Sequence, residues 1–129
     1  VYIDDYAHHP DEITACIDTA RSLYPDKKIT GIFQPHLYSR TRDFADAFAE
    51  SLEKLDELIL LDIYPAREEP IAGVEAKLIF NKVKIRAKKI CSKETVIQEL
   101  SKSSNEVVLS MGAGDIDQLI EPIKNVLLK

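Results

Sequence analysis

Short apolar runs rich in β-branched residues alternate with segments of helical period from one end of the chain to the other. Strands that alternate with helices in this way pair as parallel strands joined by right-handed crossovers. The predicted strands cover residues 1–3, 29–33, 58–61, 89–91 and 107–109. We therefore expect an α/β fold, a doubly wound, Rossmann-like, mostly parallel sheet with helices on both faces. The order of the strands cannot be derived from this pattern.

Amphipathic helices are predicted between the strands and after the last one. Pro10 is suited to open the first helix, and Pro25-Asp26 should stop it. The apolar positions of the first four helices are Ile13, Cys16, Ile17, Ala20 and Leu23; Phe44, Phe48, Leu52 and Leu55; Ala76, Ile79, Phe80 and Val83; and Val96, Ile97 and Leu100. The last apolar stripe comprises Ile116, Leu119, Ile120, Ile123 and Leu127. Pro122 lies within it and should kink or split the helix, because proline removes a backbone hydrogen bond.

Composition limits the class of protein. A chain of 129 residues with 45% hydrophobic and 30% charged residues is expected to form a single globular domain. No apolar run approaches the roughly 18 residues that span a bilayer, so we expect a soluble protein without a membrane partner. The net charge of -5 argues against nucleic acid as a partner. Cys16 and Cys91 lie at apolar positions, as is typical of free core thiols in a reducing cytoplasm.

The sequence begins with Val1, and its one methionine is Met111. No secretion signal follows Val1. We therefore expect the chain to be a domain of a larger protein.

Polar residues are concentrated where the predicted strands end. They are residues 4–9 after the first strand, 34–36 after the second, 62–65 after the third and 112–115 after the fifth. The carboxyl ends of parallel strands share one edge of a sheet, and ligands of open α/β sheets bind there. One site is therefore expected to collect these side chains.

The first of these motifs, Asp4-Asp5-Tyr6-Ala7-His8-His9, is dense in ionisable groups. A carboxylate at a strand end, such as that of Asp5, can accept two hydrogen bonds from a vicinal diol such as a ribose. Alternatively, Asp4 and Asp5 cap the next helix while His8 and His9 lie in a polar loop. The density of ionisable groups favours a functional site over this structural interpretation. A metal site is conceivable, but the spacing matches no zinc pattern.

The second motif is Phe33-Gln34-Pro35-His36-Leu37-Tyr38-Ser39-Arg40-Thr41-Arg42. Pro35 should break the strand there. The residues expected in a short loop before the next helix are His36, Tyr38, Arg40 and Arg42. A guanidinium fork held there suits a carboxylate or phosphate. The alternative is that Ser39 or Thr41 caps the helix and the arginines are solvated.

The Gly112-Ala113-Gly114-Asp115 segment lacks the third glycine of a dinucleotide fingerprint, so a tight strand-to-helix turn is favoured. The sequence contains no G-x-x-x-x-G-K-[ST] motif, so the phosphates of any ATP must be held by another domain. A basic run over residues 82–89 is interpreted as a solvated face.

The segments DDYAHHPDEI, FQPHLYSRTRDF, DIYPAREEPIAGV and MGAGDID, in this order, resemble the carboxy-terminal domain of the Mur ligases over essentially the whole chain. The resemblance implies three domains: one for the UDP-sugar, a central one with the P-loop and magnesium, and this one. It implies an ATP-dependent ligase of peptidoglycan synthesis that joins L-alanine to UDP-N-acetylmuramate through an acyl phosphate. The nearest alternative within the family is the ligase of peptidoglycan recycling that attaches a whole tripeptide; it shares the first motif but lacks the FQPH segment.

The resemblance also implies roles for individual residues. Asp5 matches the acid that contacts the ATP ribose, and Arg40 would pair with the alanine carboxylate or with the transferring phosphoryl group. Many relatives have a basic residue at the position of Leu37, so that contact is either absent from this chain or supplied by another residue, with Arg42 the candidate. The expected catalytic residues are His8, His36 and Arg40, the ATP-binding residues Asp5, Tyr6 and His9, and the substrate-binding residues Arg40, Arg42, Gly112 and Gly114. ATP and Mg²⁺ are the expected cofactors, with no metal ligand in this chain, and no role follows for Arg67 or Glu68.

Two other classes of function are weighed against the ligase. The first is a metal-dependent hydrolase built on the histidine and aspartate cluster. The second is a stand-alone, non-catalytic nucleotide-binding module.

Overall fold

The computed structural model describes residues 1–102 and 105–128. Within these residues the chain forms five strands, five α-helices and one 3₁₀ helix. The strands are β1 (Tyr2–Asp5), β2 (Ile29–Phe33), β3 (Glu57–Leu61), β4 (Lys88–Cys91) and β5 (Val107–Met111). The α-helices are α1 (Pro10–Leu23), α2 (Tyr38–Leu52), α3 (Ala76–Phe80), α4 (Lys93–Lys102) and α5 (Ile120–Leu127), and the 3₁₀ helix covers Asp115–Leu119.

The strands form one sheet in the order β1-β5-β2-β3-β4, and every pair is parallel. The last strand in sequence is therefore inserted between the first two. All residues of β2, β3 and β5 are buried, as expected for parallel strands with helices on both faces. The predicted α/β fold is confirmed.

Helices cover the two faces of the sheet in two groups. The first three helices lie over one face, where Phe33 of β2 packs on Phe48 of α2 with ring centroids 5.4 Å apart. The other face is covered by α4, the 3₁₀ helix and α5, where Ile32 shares a cluster with Val96 and Ile123. Ile32 and Phe33 are neighbours on one strand, so their side chains point to opposite faces. The sheet is therefore doubly wound.

The first strand is longer than predicted. Asp4 and Asp5 are its last two residues and pair in register with Ser110 and Met111 of β5, which is also longer than expected. The Ser110 hydroxyl donates a hydrogen bond to Asp4 Oδ1 at 2.6 Å. This bond gives the polar end of β1 a partner within the sheet, so the strand continues past its apolar part.

The second helix begins earlier than predicted. It starts at Tyr38, so Arg40 and Arg42 lie in its first two turns and not in a loop before it. Its N-cap is Leu37, not Ser39 or Thr41.

The apolar stripe of α2 also differs from the prediction. Phe44, predicted to be a core position, is 46% exposed. Its backbone leaves helical geometry, with φ -119° and ψ 19°, so the regular apolar spacing of α2 is interrupted at this residue. Leu55 is buried as predicted, but in the turn after the helix.

The later helices agree in part. Helix α3 ends at Phe80, so Val83 is buried in the following turn. The last apolar stripe is split into the 3₁₀ helix and α5, but the split lies between Leu119 and Ile120 and not at Pro122 as predicted. Pro122 lies in the first turn of α5, where its missing N–H costs no helical hydrogen bond.

Cys16 and Cys91 are both buried and free, as predicted. Burial is the main cause that raises the pKa of the Cys16 thiol to about 12. Among the described residues, no helix is both long enough and apolar enough to span a bilayer.

Candidate functional site

A crevice is expected where the segments that follow two neighbouring strands go to opposite faces of the sheet. Strands β2 and β5 are neighbours, but α2 follows β2 on one face while the 3₁₀ helix and α5 follow β5 on the other. This arrangement makes the carboxyl ends of β2 and β5 the topological switch point, where open α/β sheets bind their ligands.

Gln34 closes the inner part of this crevice. Its side chain is 4% exposed, and its Nε2 donates to Asp115 Oδ1 at 2.6 Å while its Oε1 accepts the Ile116 N–H at 3.0 Å. Lys93, which follows β4, forms an ion pair with Asp115. Burial alone would raise the pKa of Asp115, but hydrogen bonds from Lys93 and Gln34 bring it below its ordinary value. Gln34, Lys93 and Asp115 line a cavity of about 360 Å³ at this edge.

Two glycines allow the turn after β5 to pack against Gln34. Gly112 has φ +151°, and a Cβ on it would lie 3.1 Å from the Gln34 carbonyl oxygen. A Cβ on Gly114 would lie 2.6 Å from Gln34 Oε1 and against the Tyr64 ring. The predicted tight strand-to-helix turn is present. The contribution of these glycines to an amino-acid pocket stays a prediction.

The loop after β2 is held by the loop after β3. The Leu37 N–H donates to the Tyr64 carbonyl at 2.8 Å, and the Tyr64 N–H donates to the Pro35 carbonyl at 2.8 Å. These bonds continue the parallel pairing past the strand ends as a bridge between His36 and Tyr64. The two rings lie 5.7 Å apart in an edge-on arrangement. His36 is therefore fixed at the sheet edge by Tyr64.

Burial and the neighbouring Arg40 favour the neutral form of His36. Arg40 Nη1 lies 3.2 Å from His36 Nδ1, and a guanidinium only donates, so Nδ1 is the acceptor. Burial, then the charge of Arg40, lowers the pKa of His36. His36 is consequently neutral near pH 7, with its proton on Nε2. Its Nε2–H is a hydrogen-bond donor beside a guanidinium, which together suit an anionic oxygen.

His8 joins the first motif to the second. Its ring centroid lies 6.1 Å from that of His36 and 5.3 Å from that of Tyr6. His8 Nδ1 lies 2.8 Å from the Tyr6 carbonyl oxygen, which only accepts, so Nδ1 carries a proton. In its neutral form His8 therefore has the opposite tautomer to His36, with Nε2 as a proton acceptor.

Asp5 and Tyr6 lie beside a different surface. They line a cleft of about 370 Å³ between the end of β1 and α1, together with Ala15, Cys16 and Thr19. Asp5 Oδ1 accepts the Ala7 N–H at 2.9 Å, and the Tyr6 side chain is 70% exposed. The first motif is thus divided, with Asp5 and Tyr6 beside the α1 cleft and His8 beside His36.

The N-cap residue of α1 is His9, not Asp4 or Asp5, and Glu12 in the first turn of the helix reaches back to the backbone before it. The Glu12 carboxylate accepts the N–H groups of His8 and His9, each at 3.1 Å. These two bonds lower the pKa of Glu12. The alternative in which the aspartates cap this helix is therefore wrong.

Arg42 is exposed, and its Nε lies 2.8 Å from Asp43 Oδ1. Residues two positions apart on a helix do not face each other, so Arg42 and Arg40 point to different sides of α2. Its role in substrate binding stays a prediction.

Two residues for which the sequence suggested no role, Lys93 and Glu68, belong to this edge. Gln34 was expected here from its position after the second strand, but its bonds to Asp115 and Ile116 were not. Lys93 could have been found from its position two residues after the end of β4, at the start of α4. Glu68 accepts hydrogen bonds from both the backbone and the hydroxyl of Ser39, which no local pattern indicates. Within residues 1–102 and 105–128, no group of three or more His, Cys, Asp or Glu side chains is placed to hold a metal ion.

Comparison with known proteins shows which family this chain is similar to. Residues 1–114 match the family model described as Mur ligase, glutamate ligase domain. The UDP-N-acetylmuramate–L-alanine ligase of Parabacteroides distasonis is 59% identical over all 129 residues, which are 28% of its length. That of Phocaeicola vulgatus is 53% identical over 130 aligned positions, covering 100% of this chain and 28% of the relative. The chain thus spans a little over a quarter of the length of these relatives.

Solved structures agree. The UDP-N-acetylmuramate-alanine ligase MurC of Thermotoga maritima matches with a TM-score of 0.67 at 30% identity, over 98% of this chain and 26% of that one. The murein peptide ligase Mpl of Psychrobacter arcticus matches with a TM-score of 0.77 over 98% of this chain and 27% of its own; at 21% identity it shows the fold alone. The resemblance predicted from the four motifs is confirmed, and the chain belongs to the Mur ligase family.

Proposed function

We propose that this chain is the carboxy-terminal domain of a cytoplasmic, ATP-dependent ligase that joins L-alanine to UDP-N-acetylmuramate in peptidoglycan synthesis. Relatives that are 59% and 53% identical carry the name of that enzyme, which supports the proposal. The observation that carries it is the pairing of the Arg40 guanidinium with a neutral His36 at the carboxyl edge of the sheet. Two further domains, for the UDP-sugar and for the ATP phosphates, are proposed for the remaining length that the relatives have.

The proposed reaction forms an amide bond in two steps. ATP first phosphorylates the muramoyl carboxylate. The alanine amine then attacks the acyl phosphate, the new C–N bond forms, the C–O bond to phosphate breaks, and the amine loses a proton. Catalysis of such steps depends mainly on positioning and on stabilising the charge of the phosphoryl group.

The residues at this edge suit three parts of that reaction. Arg40 would bind the alanine carboxylate or the oxygens of the acyl phosphate, because its guanidinium can donate two parallel hydrogen bonds. His36 would add its Nε2–H to the same anion, and it is a poor base because its lone pair faces Arg40. His8, whose Nε2 is an acceptor in the neutral ring, is the candidate to accept the proton of the amine.

ATP would contact the other half of the first motif. Asp5 is an exposed carboxylate beside a cleft of about 370 Å³, so hydroxyl groups of a ribose can reach it. The exposed Tyr6 ring lines the same cleft. His9, whose ring lies 4.8 Å from that of His8, would contact ATP from the other half of the motif. Mg²⁺ and the ATP phosphates would be held mainly by the proposed central domain.

The test uses the full-length protein that contains this chain. Arg40→Ala should raise the KM for L-alanine or lower kcat by at least about tenfold, and Asp5→Ala should raise the KM for ATP. Arg86→Ala, at an exposed arginine between α3 and β4, is the matched control and should leave both unchanged. Phosphate release that depends on L-alanine, followed with these variants, is the measurement.

Each alternative has its own outcome in this test. Wild-type kinetics of Arg40→Ala would refute the role of Arg40. Phosphate release with the tripeptide but not with L-alanine would show the tripeptide-adding activity instead. A tightly bound catalytic metal in the purified protein, with hydrolysis and no ligation, would favour a hydrolase.

A further inference from the structure

Helix α2, which carries Arg40, begins without a cap of its own. Its N-cap residue is Leu37, whose side chain makes no hydrogen bond. Leu37 has φ +72°, in the left-handed region that disfavours residues with a Cβ. The N–H groups of the first turn of a helix need acceptors from outside the helix. The start of α2 therefore depends on another part of the chain.

Glu68 supplies the acceptor. Its Oε1 accepts the Ser39 N–H at 3.0 Å, and its Oε2 accepts the Ser39 hydroxyl. Glu68 lies 29 positions further along the chain, in the loop after β3. A carboxylate at this point also interacts favourably with the helix dipole. Hydrogen bonds from Ser39 lower the pKa of Glu68, so the group is ionised near pH 7.

The same loop holds the other end of the His36 segment. Backbone hydrogen bonds join Tyr64 to Pro35 and Leu37, as described above. The loop after β3 thus forms hydrogen bonds with the start of α2 at two points, through the Tyr64 backbone and through the Glu68 carboxylate. Between these points lie His36 and the first turn of α2, from which Arg40 reaches back to His36 Nδ1.

We infer that Glu68 is a positioning residue for the His36–Arg40 pair, holding the first turn of α2 so that the guanidinium meets the substrate anion in one orientation. This inference rests on the proposed function. Loss of the Glu68 carboxylate leaves Ser39 without its acceptor and Leu37 in a strained conformation that nothing else caps. The guanidinium then samples other positions, and binding of the amino-acid substrate weakens.

Steady-state kinetics of the full-length protein test the inference. Glu68→Ala should raise the KM for L-alanine by about fivefold or more and leave the KM for ATP within about twofold of wild type. Glu68→Gln keeps an oxygen acceptor for the Ser39 N–H and should recover most of the loss. Glu69→Ala removes the neighbouring exposed carboxylate and should behave as wild type.

Ser39 provides an independent check. Ser39→Ala loses only the hydroxyl bond, so its effect should be smaller than that of Glu68→Ala. The double variant, Ser39→Ala with Glu68→Ala, should match Glu68→Ala alone. The hydroxyl bond that Ser39→Ala removes is already lost when the Glu68 carboxylate is absent. If Glu68→Ala does not fold, Glu68→Gln and Ser39→Ala carry the test.

A merely structural role gives a different result. It would lower the folded fraction, and hence kcat, and leave the KM for L-alanine unchanged; that result overturns the inference. Arg40→Ala separates the two proposals. A raised KM in Arg40→Ala with wild-type kinetics in Glu68→Ala refutes the positioning role alone, whereas wild-type kinetics in Arg40→Ala refute the proposed use of the pair.

Discussion

Replacing Gln34 tests whether a buried amide holds the turn after β5. In Gln34→Ala, Asp115 loses a hydrogen bond of 2.6 Å and the Ile116 N–H loses its acceptor at 3.0 Å. A hydrogen bond to a charged group contributes about 1.5–3 kcal/mol, and a buried donor without a partner costs about 1–3 kcal/mol. Asp115 is partly exposed and keeps Lys93, so the lower part of the first range applies. We expect the free energy of unfolding to fall by about 2–4 kcal/mol, less than the full sum because the two bonds belong to one network.

Equilibrium urea unfolding followed by circular dichroism measures this change. Gln34→Met keeps the apolar volume but not the hydrogen bonds, so it should lose nearly as much stability as Gln34→Ala. Gln118→Ala, an exposed glutamine of the 3₁₀ helix, is the control and should stay within about 0.5 kcal/mol of wild type. If Gln34→Ala is as stable as the Gln118 control, the amide does not hold this turn.

Three further predictions concern other contacts of the fold. Gly114→Ala should destabilise the chain by about 1–3 kcal/mol, because its Cβ would overlap the Tyr64 ring; unchanged urea unfolding would contradict this. Because burial raises the pKa of Cys16 to about 12, the native chain should react far more slowly with Ellman's reagent than the unfolded chain, and rapid labelling of the native thiol would refute this. Burial and a nearby guanidinium lower the pKa of His36, so the stability that the neutral ring contributes is present above about pH 6.5 and is lost as the pH falls through its lowered folded value. His36→Gln should therefore lessen the loss of unfolding free energy between about pH 7.5 and pH 5.5, and an unchanged slope would contradict the shift.

The position of the polar motifs was predictable because it follows from a general property of parallel sheets. His8 and His36 follow different strands, and the shared edge brings their rings to 6.1 Å. The division of the first motif was not predictable. Asp5 and Tyr6 lie beside the α1 cleft, because the edge position of β1 leaves that side open. Alternating hydrophobicity indicates where a strand ends, but it does not indicate which other strand pairs with it in the sheet.

The start of α2 illustrates the limit of local patterns. Phe44, Phe48 and Leu52 mark a helical face, but the helix begins six residues before Phe44. The first turn of α2, which the sequence pattern did not predict, has no local cap. The acceptor that stabilises this turn is Glu68, from a distant loop. A contact of this kind has no signature in the residues around Tyr38.

The sequence by itself determined the alternation of strands and helices, the chemical groups at the strand ends and the family. These follow from periodicity and from motifs that are contiguous along the chain. Only the tertiary structure decided that β5 lies between β1 and β2, that Gln34 meets Asp115, and that His36 is neutral beside Arg40. Burial and hydrogen bonding act through space, between segments that the order of residues leaves far apart, so the protonation and orientation of the site exist only once the chain has folded.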